Sequence, residues 1–487
     1  MKRISIFKNF NYNLVAVLVS NAVFAFGISI LSRKLGPVAF GEVNSFIAFI
    51  AMFLPLIIHG SSTYYMREYS KNDNEEEIKR FFNYTLLLFI LLTLVFSIFF
   101  TFSKMYEISM LAKIIYVILI CFSQAIDLQW VYRAKEATQK IAICLSVTSV
   151  INLCLVLVFL PVMTPEIYLY LVGFTKVLNS VLIIIVEKSY RKYFTFIILS
   201  FTSILKFKPI KGFFPVLILS LSGLLNLVYI KSDLVMLSYF GFDLEAGYYS
   251  SAYTIITLVF IIRATLLSVL MPSLIKTYNK NIFDFQERLT VYLKVGATLG
   301  IIVTGLIYFS NELIVSILFG QLYLEAIPVL NILLIMNLIV FFNMGLSASL
   351  VAIGKDKEFL FATLLAATLN IVGNFIFIPY FNMYAAAITT LLSELTIIIM
   401  SLIILHQGIY DINIVKVFIK NIIQFCLFGF IAVFITVVEQ QYLQDTLNVY
   451  ILQIINSIIF VSIFMFLILI SKKITKPEIS LLMRVYK

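Results

Sequence analysis

Long apolar segments recur along the whole chain, and they constrain its fold more than any other feature. Each has about 20 residues, the length that an α-helix needs to cross the hydrocarbon core of a bilayer. Lipid cannot hydrogen-bond to backbone groups, so a spanning segment of this length is expected to be a helix. There are fourteen such segments, at about 12–32, 43–66, 83–103, 111–131, 141–162, 166–187, 213–238, 247–271, 291–311, 324–346, 360–380, 384–405, 416–438 and 447–471. The sequence therefore predicts an all-α integral membrane protein with about fourteen transmembrane helices.

The composition supports the same fold class. Of the 487 residues, 62% are hydrophobic and 13% are charged, whereas a soluble protein has about 25% charged residues. The formal net charge of +11 would also suit a nucleic-acid-binding protein. Most of the basic residues, however, lie in segments between the apolar ones, which is typical of membrane proteins with positively charged cytoplasmic loops. We therefore expect a membrane-lipid environment and no nucleic-acid partner.

The distribution of lysine and arginine predicts the orientation of the chain. With the N-terminus in the cytoplasm, most of the 36 basic residues fall in cytoplasmic segments, and four fall outside: Arg33, Lys34, Lys104 and Lys113. A miscounted span would invert every later loop and remove this asymmetry. We expect both termini in the cytoplasm of a bacterium and a multi-pass protein of its cytoplasmic (inner) membrane. The basic N-terminal segment is expected to be an uncleaved first span, since no cleavage pattern follows it.

Cysteine and histidine give no sign of a metal site or a cofactor. The four cysteines lie in apolar segments without a CxxC pair, and we interpret them as small core residues: Cys121, Cys144, Cys154 and Cys426. The two histidines, His59 and His406, are far apart in sequence. We predict no bound metal and no cofactor.

The two halves of the chain share a pattern that predicts an internal repeat. Asparagine and proline lie nine residues apart near the ends of spans 5 and 11 (Asn152 and Pro161, Asn370 and Pro379), with an offset of 218. The same offset relates Lys176 to Glu394. The link after span 1 also resembles the link after span 7, as 36–41 and 241–247 show. Copies of six spans each have the same topology, a common plan among transporters.

This repeat defines the expected domains. The sequence predicts an N-terminal six-helix lobe at 1–190, a cytoplasmic interfacial linker at 191–212 and a C-terminal six-helix lobe at 213–410. Residues 411–487 are expected to add transmembrane helices 13 and 14 and a cytoplasmic tail. The linker alternates basic and aromatic residues, as an amphipathic helix at a membrane surface does.

A series of short motifs recurs in a fixed order along the chain. The first follows span 1 and reads Arg33-x-Leu35-Gly36-x-x-x-Phe40-Gly41. Further motifs are Arg67-Glu68, Asp127-x-x-Trp130-x-x-Arg133-x-x-Glu136, Asp233 to Leu237, Ala246 to Ala252, Met271-Pro272, Leu318 to Tyr323 and Asn374 to Pro379. In order and spacing they resemble the polysaccharide-biosynthesis, or oligosaccharide, flippases (O-antigen flippases, Wzx-type). Asp127, Trp130 and Arg133 are expected to anchor the chain at the membrane interface.

The resemblance implies a fold and a function. The family belongs to the multidrug/oligosaccharidyl-lipid/polysaccharide exporter superfamily, whose two six-helix lobes form a V around a central cavity with alternating access. Members of this branch translocate undecaprenyl-diphosphate-linked oligosaccharides, such as O-antigen or capsule repeat units, across the cytoplasmic membrane. The resemblance implies a transporter and no enzyme. A polymerase and chain-length proteins of the same pathway are the possible partners that it implies.

Three basic residues lie inside the predicted spans, namely Lys176, Lys231 and Arg263. A cation at the centre of a bilayer costs at least a few kcal/mol, so such residues usually serve a function. A diphosphate crossing the membrane needs basic partners, and low dielectric strengthens that attraction. We expect these side chains to bind the substrate diphosphate in a cavity. An internal ion pair, or a side chain that reaches the membrane surface, remains an alternative for each.

Other polar residues in the spans are secondary candidates. Glu394 and Asp233 are the acids deep within spans, and each could couple transport to protons or form a salt bridge. His59 could face the cavity or make a polar helix contact. The outer pair Arg33 and Lys34 could meet phosphate on release or lie near lipid headgroups.

Two other functions remain open from the residues alone. A small-molecule (multidrug) exporter of the same superfamily would favour acids in its cavity and usually has twelve spans. A membrane polysaccharide polymerase or glycosyltransferase would need catalytic groups on sizeable outer loops, and all predicted outer loops are short.

Overall fold

The structure, a computed structural model, describes residues 2–72, 75–103, 106–135, 137–187, 190–204, 213–408, 414–444 and 447–471. Within these ranges the regular structure is helical. There are sixteen α-helices and two short 3-10 helices, Leu160–Val162 and Gln321–Ala326. The α-helices are α1 (Lys2–Phe53), α2 (Pro55–Asn72), α3 (Glu76–Phe102), α4 (Met110–Ala125), α5 (Gln129–Ala134), α6 (Thr138–Phe159), α7 (Pro165–Ile185), α8 (Tyr190–Ile204), α9 (Phe213–Tyr239), α10 (Asp243–Tyr278), α11 (Ile282–Phe309), α12 (Asn311–Leu318), α13 (Ile327–Ala352), α14 (Asp356–Gly408), α15 (Ile414–Leu443) and α16 (Val449–Ile470).

Two of these helices are interrupted by a single residue with non-helical backbone angles. In α1 this residue is Gly36, with φ 74°, directly before Pro37. In α14 it is Asn382, with φ 41°, three residues after Pro379. Proline lacks the N–H that a helix interior requires, and glycine or asparagine tolerates positive φ. Each long helix therefore consists of two segments that meet at a kink.

Twelve helices in the described ranges are long and apolar enough to cross a membrane. One of them is α14, whose 53 residues exceed twice the length of a single pass. The all-α, multi-pass fold class is thus confirmed. The count of fourteen stays a prediction, and the kinks in α1 and α14 are compatible with it.

Residues Met1–Gly247 form one compact unit. In this unit α1 packs against α6 and α9, α2 against α3 and α9, and α4 against α3 and α7. The α2–α9 contact is close because both helices present glycine. A methyl group on Gly60 would overlap the carbonyl oxygen of Val216 and the hydroxyl of Ser220. One on Gly223 would meet the His59 ring. Small residues of this kind are typical of helix contacts in membranes.

Residues Tyr248–Lys487 form the second unit. Here α13 packs against α11 and α14, while α15 and α16 both pack against α11. The last helix contacts α11 closely, because a methyl group on Gly305 would overlap the ring of Phe460. Phe460 and Phe464 join the buried core of this unit. The two C-terminal helices are therefore part of its core packing. The four sequence-based domain ranges stay predictions.

Three expectations about individual residues need correction or restriction. Cys121 and Cys144 are buried as expected, but Cys154 and Cys426 are exposed on the helix surface, and all four are free thiols. Trp130 is 2% exposed and contacts the rings of Tyr69 and Phe81. It is thus a core residue and not an interface anchor. Helix α8 covers the first part of the predicted linker, and residues 205–212 and 472–487 lie outside the described residues.

Candidate functional site

Lys176 lies on the face of α7 that contacts α4. Helix α7 begins at Pro165, and the preceding Thr164 accepts a hydrogen bond from the N–H of Ile167 at 3.4 Å. Gly173, Lys176 and Ser180 follow the i, i+3, i+7 spacing of one helix face. Gly173 packs against Leu119 of α4, and the Ser180 hydroxyl donates to the carbonyl of Ser123 at 2.9 Å. Lys176 is held at this contact, yet its side chain is exposed.

Asp127 is an acidic neighbour of Lys176 that the sequence analysis did not assign to the site. It follows the end of α4 and is 9% exposed. Its carboxylate accepts hydrogen bonds from the backbone N–H of Gln129 at 2.9 Å and from the Gln129 side chain at 3.0 Å. Lys176 and Arg133 both lie within electrostatic range of it. The sequence feature that could have revealed this neighbour is the acid of the Asp127-x-x-Trp130 motif, which lies one helical turn after Ser123.

Lys231 and Asp233 lie on α9 in the first unit. Asp233 is 3% exposed and Lys231 is half-buried. Residues two apart point to different sides of a helix, which matches their different exposure. The structure thus places both groups inside a candidate spanning helix, but on different faces.

Arg263 lies on α10, and its surroundings belong to the second unit. The side chain is half-buried, and its guanidinium carbon is 5.5 Å from the centre of the Phe260 ring. Its Nε is buried and has no hydrogen-bond partner among the described residues. Glu394 and Tyr253 lie within electrostatic range of the guanidinium. Arg263 therefore combines a nearby acid with a donor nitrogen that no described residue satisfies.

A buried polar network positions the helix that carries Glu394. Asn370 and Asn374 lie before the kink of α14, and Thr389 and Thr390 lie after it. Asn370 donates to the hydroxyl of Thr390 at 3.1 Å, and Asn374 donates to Asn370 at 3.2 Å. Thr389 in turn donates to Asn374. These bonds tie the two segments of α14 together, and Glu394 follows Thr390 by one helical turn.

The secondary candidates occupy other environments. The His59 ring packs directly against Gly223 of α9, so it takes part in a close helix contact. Arg33 and Lys34 are exposed and lie immediately before the kink at Gly36. No group of three or more His, Cys, Asp or Glu side chains that could hold a metal ion occurs in the part of the chain searched, which is the described part.

Taken together, each unit contains a base and an acid within electrostatic range of each other. In the first unit they are Lys176 and Asp127, and in the second they are Arg263 and Glu394. An acid at this range stabilises the charged form of the base inside the protein. An incoming anion would have to compete with this acid for the base.

Comparison with known proteins gives one family and a group of related folds. A family model described as "Polysaccharide biosynthesis protein" matches residues 6–278. No curated protein matches the chain in sequence.

Several solved structures share the fold. A structure of the lipid II flippase MurJ in an inward closed conformation is similar with a TM-score of 0.64 and 16% identity, covering 92% of this chain and 97% of that one. An inward-facing multidrug resistance MATE family transporter of the MOP superfamily has a TM-score of 0.64 and 16% identity, covering 81% of this chain and 98% of that one. A MOP superfamily transporter from Pyrococcus furiosus has a TM-score of 0.57 and 15% identity, covering 82% and 95%. At such identities the similarity establishes the fold.

Proposed function

We propose, from the premise that the chain belongs to the polysaccharide biosynthesis protein family, that it is a flippase for lipid-linked oligosaccharides. The substrate class is an undecaprenyl-diphosphate-linked oligosaccharide, such as an O-antigen or capsule repeat unit. Its polar head would cross the cytoplasmic membrane of a bacterium by alternating access through a basic cavity. The fold shared with flippases and transporters supports transport over enzymatic catalysis.

The observation that carries this proposal is the environment of Arg263. A buried guanidinium nitrogen without a hydrogen-bond partner among the described residues is unfavourable unless a ligand satisfies it. Arginine binds phosphate through charge-assisted hydrogen bonds, which are about twice as strong as neutral ones. A diphosphate would supply both the missing acceptor and the negative charge. Glu394, within range, would hold the guanidinium in place between transport cycles.

Lys176 is the corresponding candidate in the first unit. It is a lysine on a candidate spanning helix, and Asp127 is within electrostatic range of it. A lysine acts as a point charge for phosphate, with less demand on geometry than arginine. We assign Lys176 and Arg263 to the diphosphate and keep Lys231 as a weaker candidate on α9. Glu394 and Asp233 are candidates for ion coupling.

Substitution of Arg263 tests the proposal directly. Arg263→Ala should reduce surface polymer, or flipping of a fluorescent lipid-diphosphate glycan in proteoliposomes, at least tenfold. This corresponds to the loss of one charge-assisted hydrogen bond, about 1.5–3 kcal/mol. Arg263→Lys should retain part of the activity, because the charge remains. The matched control is Lys276→Ala, an exposed basic residue on the same helix, and it should leave flipping unchanged.

Normal flipping by Arg263→Ala at a normal protein level would contradict the assigned role. In that case Lys176→Ala and Lys231→Ala should be compared in the same assay. If none of the three changes flipping, a basic cavity does not carry the diphosphate.

A second candidate function is export of small molecules. The fold similarity to a multidrug resistance MATE family transporter favours this alternative. The two functions differ in the charge of the cargo. A flippase of this kind should be inhibited by soluble isoprenoid diphosphates. An exporter of cationic drugs should be insensitive to them and should instead protect cells against those drugs.

A further inference from the structure

Helix α9 is a candidate spanning helix, yet it carries an exposed polar stripe beside an exposed apolar one. The exposed apolar residues share one face and recur at three- or four-residue spacing: Phe214, Ile218, Leu221 and Leu225. Ser222 and Asn226 are exposed as well. Each lies one residue further along, which is about 100° around the helix axis. The apolar stripe is the face expected to contact lipid tails, so the polar stripe faces a different direction at the same depth.

An exposed asparagine at this depth is unfavourable if it meets lipid. Its amide has two donors and one acceptor, and hydrocarbon satisfies none of them. Polar residues inside spans therefore face the interior of the helix bundle or a water-filled cavity. Asn226 is exposed and so is not covered by protein. The side of α9 that carries it consequently borders an aqueous space.

Helix α2 widens this polar stripe. The two helices approach so closely that a methyl group on Gly223 would overlap the His59 ring, and Gly223 directly follows Ser222. The imidazole of α2 thus lies next to the polar stripe of α9, and His59 is itself exposed. Ser62 and Thr63 follow one turn later on α2 and are half-buried. The α2–α9 polar surface is defined by these five residues: His59, Ser62, Thr63, Ser222 and Asn226.

The α2–α9 polar surface is neutral and rich in hydrogen-bonding groups. The hydroxyls of Ser62 and Thr63 donate to the carbonyl of His59, at 3.1 and 2.9 Å. The Ser222 hydroxyl donates to its own helix at 2.7 Å. These hydroxyls keep oxygen lone pairs as acceptors, while the Asn226 amide offers donors and an acceptor. Sugar hydroxyls both donate and accept, whereas a diphosphate is bound best by charged donors. The surface therefore suits a carbohydrate better than a phosphate.

We propose that the α2–α9 polar surface binds the sugar part of the lipid-linked substrate through hydrogen bonds to sugar hydroxyls. This inference rests on the proposed function, because it assigns a second part of the same substrate. None of the bases assigned to the diphosphate belongs to this surface. Asp233 continues the face of Asn226 but is 3% exposed, so the exposed part stays neutral. A site that hydrogen-bonds hydroxyls rejects analogues that lack them, and the surface thereby contributes to glycan selectivity.

Binding of two lipids that differ only in the glycan tests this assignment. The probes are undecaprenyl diphosphate and undecaprenyl diphosphate bearing a neutral N-acetylhexosamine disaccharide, with the purified full-length protein. Asn226→Leu should weaken binding of the glycan lipid about fivefold, as expected for one lost hydrogen bond. It should leave binding of undecaprenyl diphosphate unchanged. Asn226→Gln, which keeps the amide, should restore part of the affinity.

The matched control is Asn279→Leu, at an exposed asparagine in the turn between α10 and α11. It should bind both lipids like the wild-type protein. An equal loss of affinity for both lipids in Asn226→Leu, or no loss for either, would overturn the sugar assignment. Wild-type protein that binds neither lipid would instead contradict the proposed function.

Thiol labelling tests the aqueous exposure of the surface without any substrate. In proteoliposomes, with the four native cysteines replaced by alanine, Asn226→Cys should react with a water-soluble maleimide at least tenfold faster than Leu225→Cys. Leu225 is its neighbour on the apolar stripe. The glycan lipid should slow labelling of Asn226→Cys at least tenfold, and undecaprenyl diphosphate should leave it unchanged. Equal labelling of the two cysteines would refute the aqueous surface, whether or not the protein transports lipid-linked oligosaccharides.

Discussion

Lys176 and Asp127 illustrate how one residue can control the charge of another inside a membrane protein. Lys176 as a residue is exposed on α7, and Asp127 is 9% exposed beyond the end of α4. The carboxylate is held in place by two hydrogen bonds from Gln129. In the absence of an anion, Asp127 offsets the charge of Lys176. If Lys176 binds a diphosphate as proposed, the same carboxylate would compete with it for the ammonium.

This competition predicts an increase in affinity on removal of the acid. Asp127→Asn should strengthen binding of an isoprenoid diphosphate about fivefold, because a charge of the same sign as the ligand is lost at an effective dielectric constant of about 20. Binding to purified protein can be measured by calorimetry or by fluorescence. Lys176→Met should weaken binding, and Asp127→Asn should have little effect in the Lys176→Met background. Additive effects in this double-mutant cycle would show that the two residues act separately.

At the scale of single residues, the sequence singled out the cations and offered Glu394 as an acid for a salt bridge, but it did not offer Asp127 as the acid near Lys176. Apolar surroundings make Lys176 and Arg263 conspicuous in sequence, because few charged residues occur within spans. Asp127 was not predicted as a site residue because it lies at the end of its span, where acids are common. Trp130 was placed at the membrane interface for the same reason, although it packs against Tyr69 and Phe81.

At the scale of helices, asparagine and threonine connect neighbouring segments at similar places in the two units. In the second unit, Asn370 and Asn374 bind the threonines that follow the kink of α14. In the first unit, Thr175 of α7 donates to Asn152 of α6 at 3.5 Å. Asn152 and Asn370 are the pair that suggested the internal repeat. In the structure each of them joins two helical segments that follow one another in the chain.

This network predicts a loss of stability when it is interrupted. Asn374→Leu should lower the free energy of unfolding by about 1 kcal/mol, the usual value of a polar contact between membrane helices. Thermal unfolding in detergent, followed by thiol-reactive dye fluorescence, measures the effect. Thr368→Val is the matched control, because the Thr368 hydroxyl donates only within its own helix among the bonds described, to Leu364. An equal loss in both variants would argue against a cross-helix role.

At the scale of the whole molecule, charge asymmetry predicts which side of the membrane each loop faces. Lys355, in the turn before α14, is expected in the cytoplasm, and the exposed Tyr442 near the end of α15 is expected outside. In a background without native cysteines, Tyr442→Cys should react with an impermeant maleimide in intact spheroplasts. Lys355→Cys should react only after the membrane is opened. The reverse pattern would invert the predicted topology.

The fold class followed from sequence because it depends on segment length and hydropathy. About 20 apolar residues must form a helix in lipid, whatever their neighbours are. The family also followed from sequence, since short motifs keep their order and spacing along the chain, and the family match to residues 6–278 confirmed it.

The tertiary structure decided what depends on contacts between distant residues. Only there did Gly41 meet Asp243 and Gly247, Lys176 come within range of Asp127, and the Nε of Arg263 lack a partner among the described residues. Hydropathy is a property of each segment alone, so the chain itself fixes which segments enter the membrane. Packing is a property of pairs of segments, and the same apolar helix can present any of its faces to a neighbour. For that reason the helical, multi-pass fold class could be derived from the sequence, whereas the candidate site required the fold.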